Sequence, residues 1–376
     1  MQVLVVNAGS SSLKMRVLDD RDEVVGSLDV GLPGPGGFEA ALGGFLEQHP
    51  RVGAAGHRIV HGGAHFTEPV LLDAGAETAL AALADLAPLH NPPGLAAVKA
   101  LEALRPGLPQ VACFDTAFHA RISPAAATYA LPAQWRHRWD LRRFGFHGLS
   151  HAYASRRAAE LTGRKLEELR IVTCHLGAGA SLAAVRNGVS VDTTMGFTPM
   201  EGLVMATRSG SVDPGLLLWL EEHVGMPPSE LATTLEYRSG LLGICGSPDM
   251  RVILQAEADG DTDSALAVGV YLHRLRAGIA SMAAAMGGLD TLVFTGGVGE
   301  HAAPIRERAA AELGFLGIDL DPEANARAAG DGEIGAEGAS VRTLVITARE
   351  DVEIARGVRQ VLAAPSQETA GRAPER

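Results

Sequence analysis

Three short loops of this chain carry the residue types that hold an anion. In Asn7-Ala-Gly-Ser-Ser-Ser-Leu-Lys14, small residues let backbone N–H groups and hydroxyls converge, and Lys14 adds a point charge. A bare hairpin turn is the structural alternative. Three consecutive serines, Ser10 to Ser12, beside one of only three lysines in the chain, favour phosphate binding over it. His175-Leu-Gly-Ala-Gly179 is a second such turn, and Thr295-Gly-Gly-Val-Gly-Glu-His301 is a third. Each alone is weak, since Gly-rich turns often only turn. Together, at the ends of apolar runs, they read as loops for a nucleotide lying across a cleft. None has the Walker spacing or the full Gly-x-Gly-x-x-Gly with a distant acid, which disfavours a P-loop or dinucleotide fold.

The elements that must position these loops are short apolar runs: Val3 to Val6, Val111 to Phe114, Ile171 to Cys174, Thr291 to Thr295 and Leu344 to Thr347. They read as buried strands. Helical segments alternate with them. One is expected over about Pro214 to Val224, with Asp213 as N-cap and Gly225 as stop. Another is expected over about Ser264 to Met286, with Leu266, Val270, Leu275, Ile279 and Met282 on its apolar stripe. The alternation predicts an α/β class. The stretches Leu4 to Leu13 and Ile171 to Leu182 are both strand, Gly/Ser turn, strand, with one residue read as inserted in the second. Two related halves would produce such a repeat.

A length of 376 residues suits two domains. The pattern weakens from His119 to Phe144, around Pro124 and Pro132, which marks the crossing between them. The cluster Arg136, His137, Arg138, Arg142 and Arg143 in that stretch reads as a solvated basic loop. The net charge of −12 argues against nucleic-acid or anionic-membrane partners, so an anionic substrate needs local cations. Cys113, Cys174 and Cys245 sit among apolar or Gly neighbours and read as buried thiols of a reducing compartment. With no basic leader and no membrane-length apolar run, a cytoplasmic location is expected. Residues from about Pro365 read as a mobile tail.

Asn7 to Lys14, Gly56-His-Arg-Ile-Val-His-Gly-Gly63, Leu86-Ala-Pro-Leu-His-Asn-Pro-Pro93, Phe114-Asp-Thr-Ala-Phe-His119, Phe144-Gly-Phe-His-Gly148, Cys174 to Gly179, Met195-Gly-Phe-Thr-Pro199 and Thr207-Arg-Ser-Gly-Ser-Val-Asp-Pro214 together resemble the acetate kinase (acetokinase) family over nearly the whole chain. The resemblance places it in the acetate and sugar kinase, heat-shock chaperone and actin superfamily. It implies two duplicated ribonuclease H-like α/β domains with an interdomain nucleotide cleft. The expected division is 1–119 and 120–351, with a helix over 352–364 packing back on the first domain and 365–376 as tail.

Transfer of a phosphoryl group between ATP and acetate, giving acetyl phosphate and ADP with Mg2+ (or Mn2+), is the implied activity, in a homodimer. Arg58 and Arg208 are the implied substrate-site cations, His147 the hydrogen-bond donor to the transferring group, and Asp115 an active-site carboxylate. Val60, Leu89, Phe146 and Pro199 form the implied wall around the acetate methyl. Nucleotide contacts fall on Ser10, Ser12, Lys14, His175, Leu176, Gly177, Ala178, Gly179, Asp249, Met250, Arg251, Gly297, Val298, Gly299, Glu300 and His301, and the metal falls to Asn7 and Glu350. Glu350 has a second reading, since Thr347-Ala-Arg-Glu350 ahead of Val352 and Ile354 fits a capping box. Ala178 and His301 stand where the family commonly has Asn, Met250 where an aromatic is frequent, and the Asp29 to Val52 segment is short. A propionate or butyrate kinase, or a nucleotide-driven switch or filament subunit of the same superfamily, are the rival readings.

Overall fold

The computed structural model describes residues 1–9, 12–32, 34, 37–83, 87 and 91–364. Ser10, Leu89 and the expected tail therefore lie outside the described residues. Contacts divide the chain into two units: Met1–Gly62, Glu68–Phe114 and Asp351–Arg376 form one, and Gly63–Thr67 with Asp115–Glu350 the other. The change of unit falls at Phe114/Asp115, directly after a strand, where the sequence suggested residues 119/120.

The first unit holds strands β1 (Gln2–Ala8), β2 (Ser12–Leu18), β3 (Val24–Gly31), β4 (Val52–Ile59), β5 (Val70–Leu71) and β6 (Gln110–Phe114), in the order β3-β2-β1-β4-β6-β5. The second holds β7 (Arg170–Leu176), β8 (Ala180–Arg186), β9 (Val189–Thr193), β10 (Thr291–Thr295), β11 (Gly332–Glu333) and β12 (Arg342–Val345), in the order β11-β12-β10-β7-β8-β9. Read from the other edge, this is the same order. Each pairing also keeps its sense: antiparallel for the first three strands, parallel through the centre, antiparallel at the short edge strand. The weak sequence repeat is thus a duplication of a whole six-stranded mixed sheet. Its inserted residue is in the other copy. Residues 9–12 separate the last paired positions Ala8 and Leu13, whereas only residues 177–179 separate Leu176 and Ala180.

All five expected strands exist, and they are central or next to central because only there do apolar runs cover both faces: β6 and β10 are buried at every position. In the first unit Leu4, Val6, Leu13 and Met15 pack against Leu42, Phe45 and Leu46 of helix Gly37–Gln48 and Leu101 of helix Asn91–Leu104. In the second, Ala154 and Ala158 of helix Gly148–Thr162 cover Ile171, Val293 and Leu344.

Helix boundaries follow their capping residues. Asp213 caps Pro214–Trp219 by accepting from the Gly215 N–H, and the helix continues as a wider π turn, Leu220–Val224, to Gly225 at φ 74°. Asp261 caps the long helix Thr262–Met286. Its buried stripe corrects the expected one: Leu275, Ile279 and Met282 are inside, but Leu266 is 58% exposed and Val270 half-buried, and Ala267, Val268, Tyr271 and Leu272 take their place. Leu266 outside and the half-buried Val270 compete with Val268 and Leu272 inside, so apolar periodicity alone did not set the phase of the first turns. Cys113 and Cys174 are buried as expected, while Cys245 is only half-buried.

Helix Glu350–Ala363 belongs to the first unit from Asp351 on, and it is seated on a strand with no side chain in between. A Cβ on Gly56 of β4 would fall 2.5 Å from Ile354 Cγ2 and 2.7 Å from Val358 Cγ2. Gly56→Ala is therefore expected to lift this helix off β4 and destabilise the protein by about 1–3 kcal/mol, the usual cost of overpacking a close contact. A lowered urea midpoint at unchanged slope is the expected result, and an unchanged midpoint would show that the helix can shift freely.

Candidate active site

In the first unit the candidate groups stand at the ends of the two adjacent parallel strands β1 and β4. Arg58 donates from Nη1 to Asn7 Oδ1 at 3.5 Å, a long contact that pairs the expected substrate arginine with an expected metal ligand. Val60 follows β4 and is 9% exposed. The loop that carries it is pinned by Asn91, which is fully buried: its Oδ1 accepts from the His61 N–H at 3.1 Å and its Nδ2 donates to the His61 carbonyl at 3.0 Å. Asn91 was not singled out in the sequence, although it lies within the motif Leu86 to Pro93. Ser12 and the exposed Lys14 lie on β2 beyond the first hairpin.

The second unit gathers most of the remaining candidates. A cavity of about 690 Å³ brings together Gly177, Ala178, Asp249, Met250, Arg251, Gly297, Val298 and His301, all expected nucleotide contacts, with Leu241, Tyr271 and Ala206 among its apolar walls. Leu176, Gly179, His175, Gly299 and Glu300 do not line it. Glu300 acts as a brace instead, its Oε1 accepting from the N–H groups of Gly296 and Ala348, each at 3.0 Å. The third Gly-rich stretch is not an open turn but a short helix, Gly296–His301, starting directly at the end of β10. Asp249 caps helix Met250–Ala258 and also grips the Arg251 guanidinium at 2.6 and 3.0 Å. Those bonds, with the Arg251 N–H, hold its carboxyl down at about 2.

Beside this cavity the same turn meets the expected phosphoryl-site groups. A Cβ on Gly179 would lie 3.2 Å from Cε1 and Nε2 of His147 and 3.4 Å from Nη1 of Arg208. His147 reaches this point from the N-cap position of helix Gly148–Thr162, in the left-handed region at φ 56°. Its neighbour Gly148 donates its N–H to the Asp115 carbonyl at 2.9 Å, so closely that a Cβ there would fall 2.2 Å from that oxygen. Asp115 is 1% exposed, and the cap position of the following turn, Ala117–His119, is Thr116 rather than Asp115. Arg208 donates from Nη1 to the carbonyl of Pro199 at 3.3 Å. Phe146 is buried, and its carbonyl lies 3.1 Å from His119 Nε2.

Two sets of residues behind these groups were not anticipated. The first corrects the solvated reading of the basic cluster at Arg143, whereas Arg136, His137 and Arg138 stand on the helix Ala133–Trp139, which has no buried residue. Arg143 is a clamp: from Nη1 it reaches the carbonyls of Thr193, Thr194 and Met195 at 3.3, 3.1 and 3.0 Å, and from Nη2 it pairs with Glu201 at 2.8 Å. The Tyr129 hydroxyl donates to Glu201 and accepts from the Phe197 N–H at 2.9 Å. Tyr129, Arg143 and Glu201 thus fix the segment leading to Pro199 against the segment leading to His147. Arg143 looked like loop charge because its partners are backbone carbonyls distant in sequence.

The second set is a histidine cluster. His147 stacks on His175 with ring centres 4.3 Å apart, His151 lies behind both, and His119 packs edge-on to His151. Burial pushes His119 down to about 4 and His151 well below the ordinary histidine value, so both are neutral at pH 7. Sequence offered the spacing His147 to His151, one helical turn, but nothing to bring His119 and His175 to it.

Glu350 is the first residue of its helix, not the third, and Thr347 instead donates its N–H to Asp331 at 2.8 Å. The Thr347 N–H that a capping box would give to Glu350 therefore goes to Asp331, and the helix starts two residues later than the box requires. Among the described residues no group of three or more His, Cys, Asp or Glu forms a metal cage.

The Acetokinase family model matches residues 42–356. Acetate kinase of Synechococcus sp. is 50% identical over 85% of this chain and 79% of its own length, and acetate kinase of Leifsonia xyli subsp. xyli is 45% identical over 96% and 99%. Among solved structures, Porphyromonas gingivalis acetate kinase superposes with a TM-score of 0.89 at 35% identity, and a propionate kinase from Francisella tularensis subsp. tularensis with 0.90 at 34%, each over 96% of this chain and 99% of its own. With matching extent, duplicated sheets and a glycine turn leading from an apolar cavity to a histidine and an arginine, the chain belongs to the acetokinase family.

Proposed function

We propose that the protein interconverts ATP and acetate with ADP and acetyl phosphate by direct in-line phosphoryl transfer. The observation that carries this is the turn 177–179: its first two residues line the nucleotide-sized cavity, and its third abuts His147 and Arg208. A nucleotide whose base occupies the cavity and whose phosphates follow this turn brings its terminal phosphoryl group to those side chains.

Acetate is already ionised near pH 7, so the reaction needs no base to make its nucleophile. What it needs is relief of repulsion between a carboxylate and a polyphosphate, together with alignment. Arg58 and Arg208 supply planar forks for carboxylate and phosphoryl oxygens, and His147 donates to the equatorial oxygens of the transferring group. Asp115 orients groups at the site rather than removing a proton. Val60, Phe146 and Pro199 bound the methyl group, and Ser12 and Lys14 contribute to the phosphate tail from the first hairpin.

The donor set of Asn7 and Glu350 fits a nucleotide-carried Mg2+, which takes one or two protein oxygens, often through water, rather than a full protein cage. When bound, that ion neutralises charge on the β and γ oxygens. Asn7 and Glu350 would hold its water. A homodimer is part of the proposal, supported by helix segments Pro214–Trp219, Leu220–Val224 and Pro228–Tyr237, which bury nothing in the chain and expose Leu216, Leu218, Trp219, Val224 and Tyr237. A cytoplasmic location is supported by three cysteines that are all free thiols.

Trapping acyl phosphate as the hydroxamate, with acetate, propionate and butyrate in turn and with and without Mg2+, tests the reading. Acetate is expected to give the highest kcat/KM. A preference for a longer acid would make the protein a propionate or butyrate kinase, and ATP hydrolysis without hydroxamate would make it a nucleotide-driven switch. Arg58→Ala and Arg208→Ala are each expected to lose at least ~10²-fold in turnover with the fold intact, as when a preorganised charge donor is removed. Near-native turnover in either would overturn its assignment.

Gly179→Ala is expected to lower kcat while leaving ADP affinity within about two-fold, because its methyl pushes on His147 and Arg208 rather than on the cavity. A selective loss of ADP affinity would place the phosphates elsewhere. Glu201→Gln and Tyr129→Phe are expected to raise the acetate KM and the propionate-to-acetate ratio of kcat/KM, with the ATP KM unmoved. The reason is that loosening the Pro199 segment widens an apolar wall worth ~1–3 kcal/mol of discrimination per methylene. An unchanged ratio in both variants would remove the clamp from acid selection.

A further inference from the structure

His147 is the end of a closed chain of hydrogen bonds. Thr173 Oγ1 lies 2.7 Å from His151 Nδ1, His151 Nε2 lies 2.8 Å from Ser181 Oγ, and Ser181 Oγ lies 2.9 Å from His147 Nδ1. Thr173, His151 and Ser181 are all fully buried. The proton positions along this chain follow from counting donors and acceptors.

Among the described residues, the Thr173 hydroxyl has one hydrogen-bond partner, His151 Nδ1. Were the ring nitrogen the donor, the hydroxyl proton would be buried with no acceptor, an arrangement native interiors avoid. Thr173 therefore donates to Nδ1. His151, neutral in its buried setting, then carries its single proton on Nε2 and donates to Ser181 Oγ. Ser181, having accepted from His151, turns its own proton to the remaining partner, His147 Nδ1. A neutral His147 is left with its proton on Nε2, the atom that stands 3.2 Å from the Cβ position at Gly179, opposite Arg208. The His175 ring stacks on His147 and lies 2.7 Å from Ser150 Oγ through Nδ1.

We propose that Thr173, His151 and Ser181 are positioning residues that orient this chain in one direction and so hold His147 as an Nε2–H donor toward the transferring phosphoryl group. The functional half rests on the reading that His147 faces that group; the direction of the chain does not. A merely structural cluster would fill the same space without fixing the tautomer. Removing the first hydroxyl lets His151 take either tautomer, Ser181 then rotates, and His147 presents a lone pair to phosphate oxygens for part of the time.

Long-range ¹H–¹⁵N imidazole correlations on the full-length ¹⁵N-labelled protein test the direction without any mutation. His147 is expected with a protonated Nε2 and a bare Nδ1, and a protonated Nδ1 would overturn the proposal. Thr173→Val and Ser181→Ala are expected to mix the His147 tautomers and lower kcat about 10-fold, the scale on which outer-sphere partners of a functional histidine act, with the ATP KM within about two-fold. Thr173→Ser, which keeps the hydroxyl, is expected to restore both the spectrum and kcat, so that misfolding of the other variants cannot imitate the result. Unmoved tautomers in Thr173→Val and Ser181→Ala would overturn the chain. Mixed tautomers with unmoved kcat would instead overturn the premise that His147 faces the phosphoryl group.

Discussion

A turn of only three residues, 177–179, has to pass between an apolar cavity and two side chains that meet over its last glycine, and much of the second unit is arranged around that constraint. The Gly177 N–H closes the turn on the Gly179 carbonyl at 2.9 Å, and Ala178 is tied outward through its carbonyl to the Ala206 N–H at 3.1 Å. Parallel pairing of β7 with β10 sets the neighbouring helix Gly296–His301 so close that a Cβ on Gly296 would fall 2.8 Å from the Leu176 carbonyl. The glycines are thus spacing elements: Gly296 permits an approach that a Cβ would forbid, and Gly179 one that a Cβ would allow only if His147 and Arg208 gave way.

Charge is handled locally rather than by the overall field. With a net charge of −12, the molecule as a whole repels both proposed substrates. Several arginines are fully engaged in holding backbone. Arg143 spans three successive carbonyls, and the fully buried Arg306 donates to the carbonyls of Gly299 and Glu300 at 3.0 and 2.8 Å and to Asn325. Arg306 therefore holds the far end of the helix whose start lines the cavity, and its burial lowers its own affinity for the proton. Two neutral histidines complete the pattern: burial keeps His119 and His151 uncharged behind the stacked pair His147 and His175.

Elements whose signals are local were legible in the sequence. Five strands, the cap Asp213 and the cavity residues of two glycine turns, Gly177, Ala178, Gly297, Val298 and His301, all rest on short apolar runs, a capping carboxylate or a glycine turn, whereas Asp249, Met250 and Arg251 came from the family resemblance and the cap Asp261 was missed. Features whose meaning depends on distant partners were not. Arg143 has the same local context whether it is solvated or bound to carbonyls fifty residues on, and His119 and His175 join His151 only because the sheet brings them together. The capping box at Glu350 failed for a related reason: Thr347 matches the pattern, but its N–H is claimed by Asp331. The first turns of the long helix were mis-phased because apolar residues stand on both faces there, Leu266 outside and Val268 and Leu272 inside.

The duplication explains why the candidate residues occur at these positions and not elsewhere. In the first sheet β1 and β4 run parallel with Val6 opposite His57, so the next residues are Asn7 and Arg58. In the second, β7 and β10 run parallel with His175 opposite Thr295. Asn7 and His175 are thus equivalent, as are Arg58 and Thr295. Thr295 ends its strand and the other three stand one residue before the ends of theirs, at the carboxyl edge where parallel sheets present groups to ligands. From the same point the two copies diverge. After β4 the chain continues into the loop that carries Val60 and is pinned by Asn91, whereas after β10 it coils at once into Gly296–His301 and walls the cavity of the second unit. The first hairpin is longer than the second by one residue between its last paired positions. One scaffold position therefore supplies a charge in one copy and a backbone surface in the other, which are the two kinds of contact that transfer between a carboxylate and a nucleotide requires.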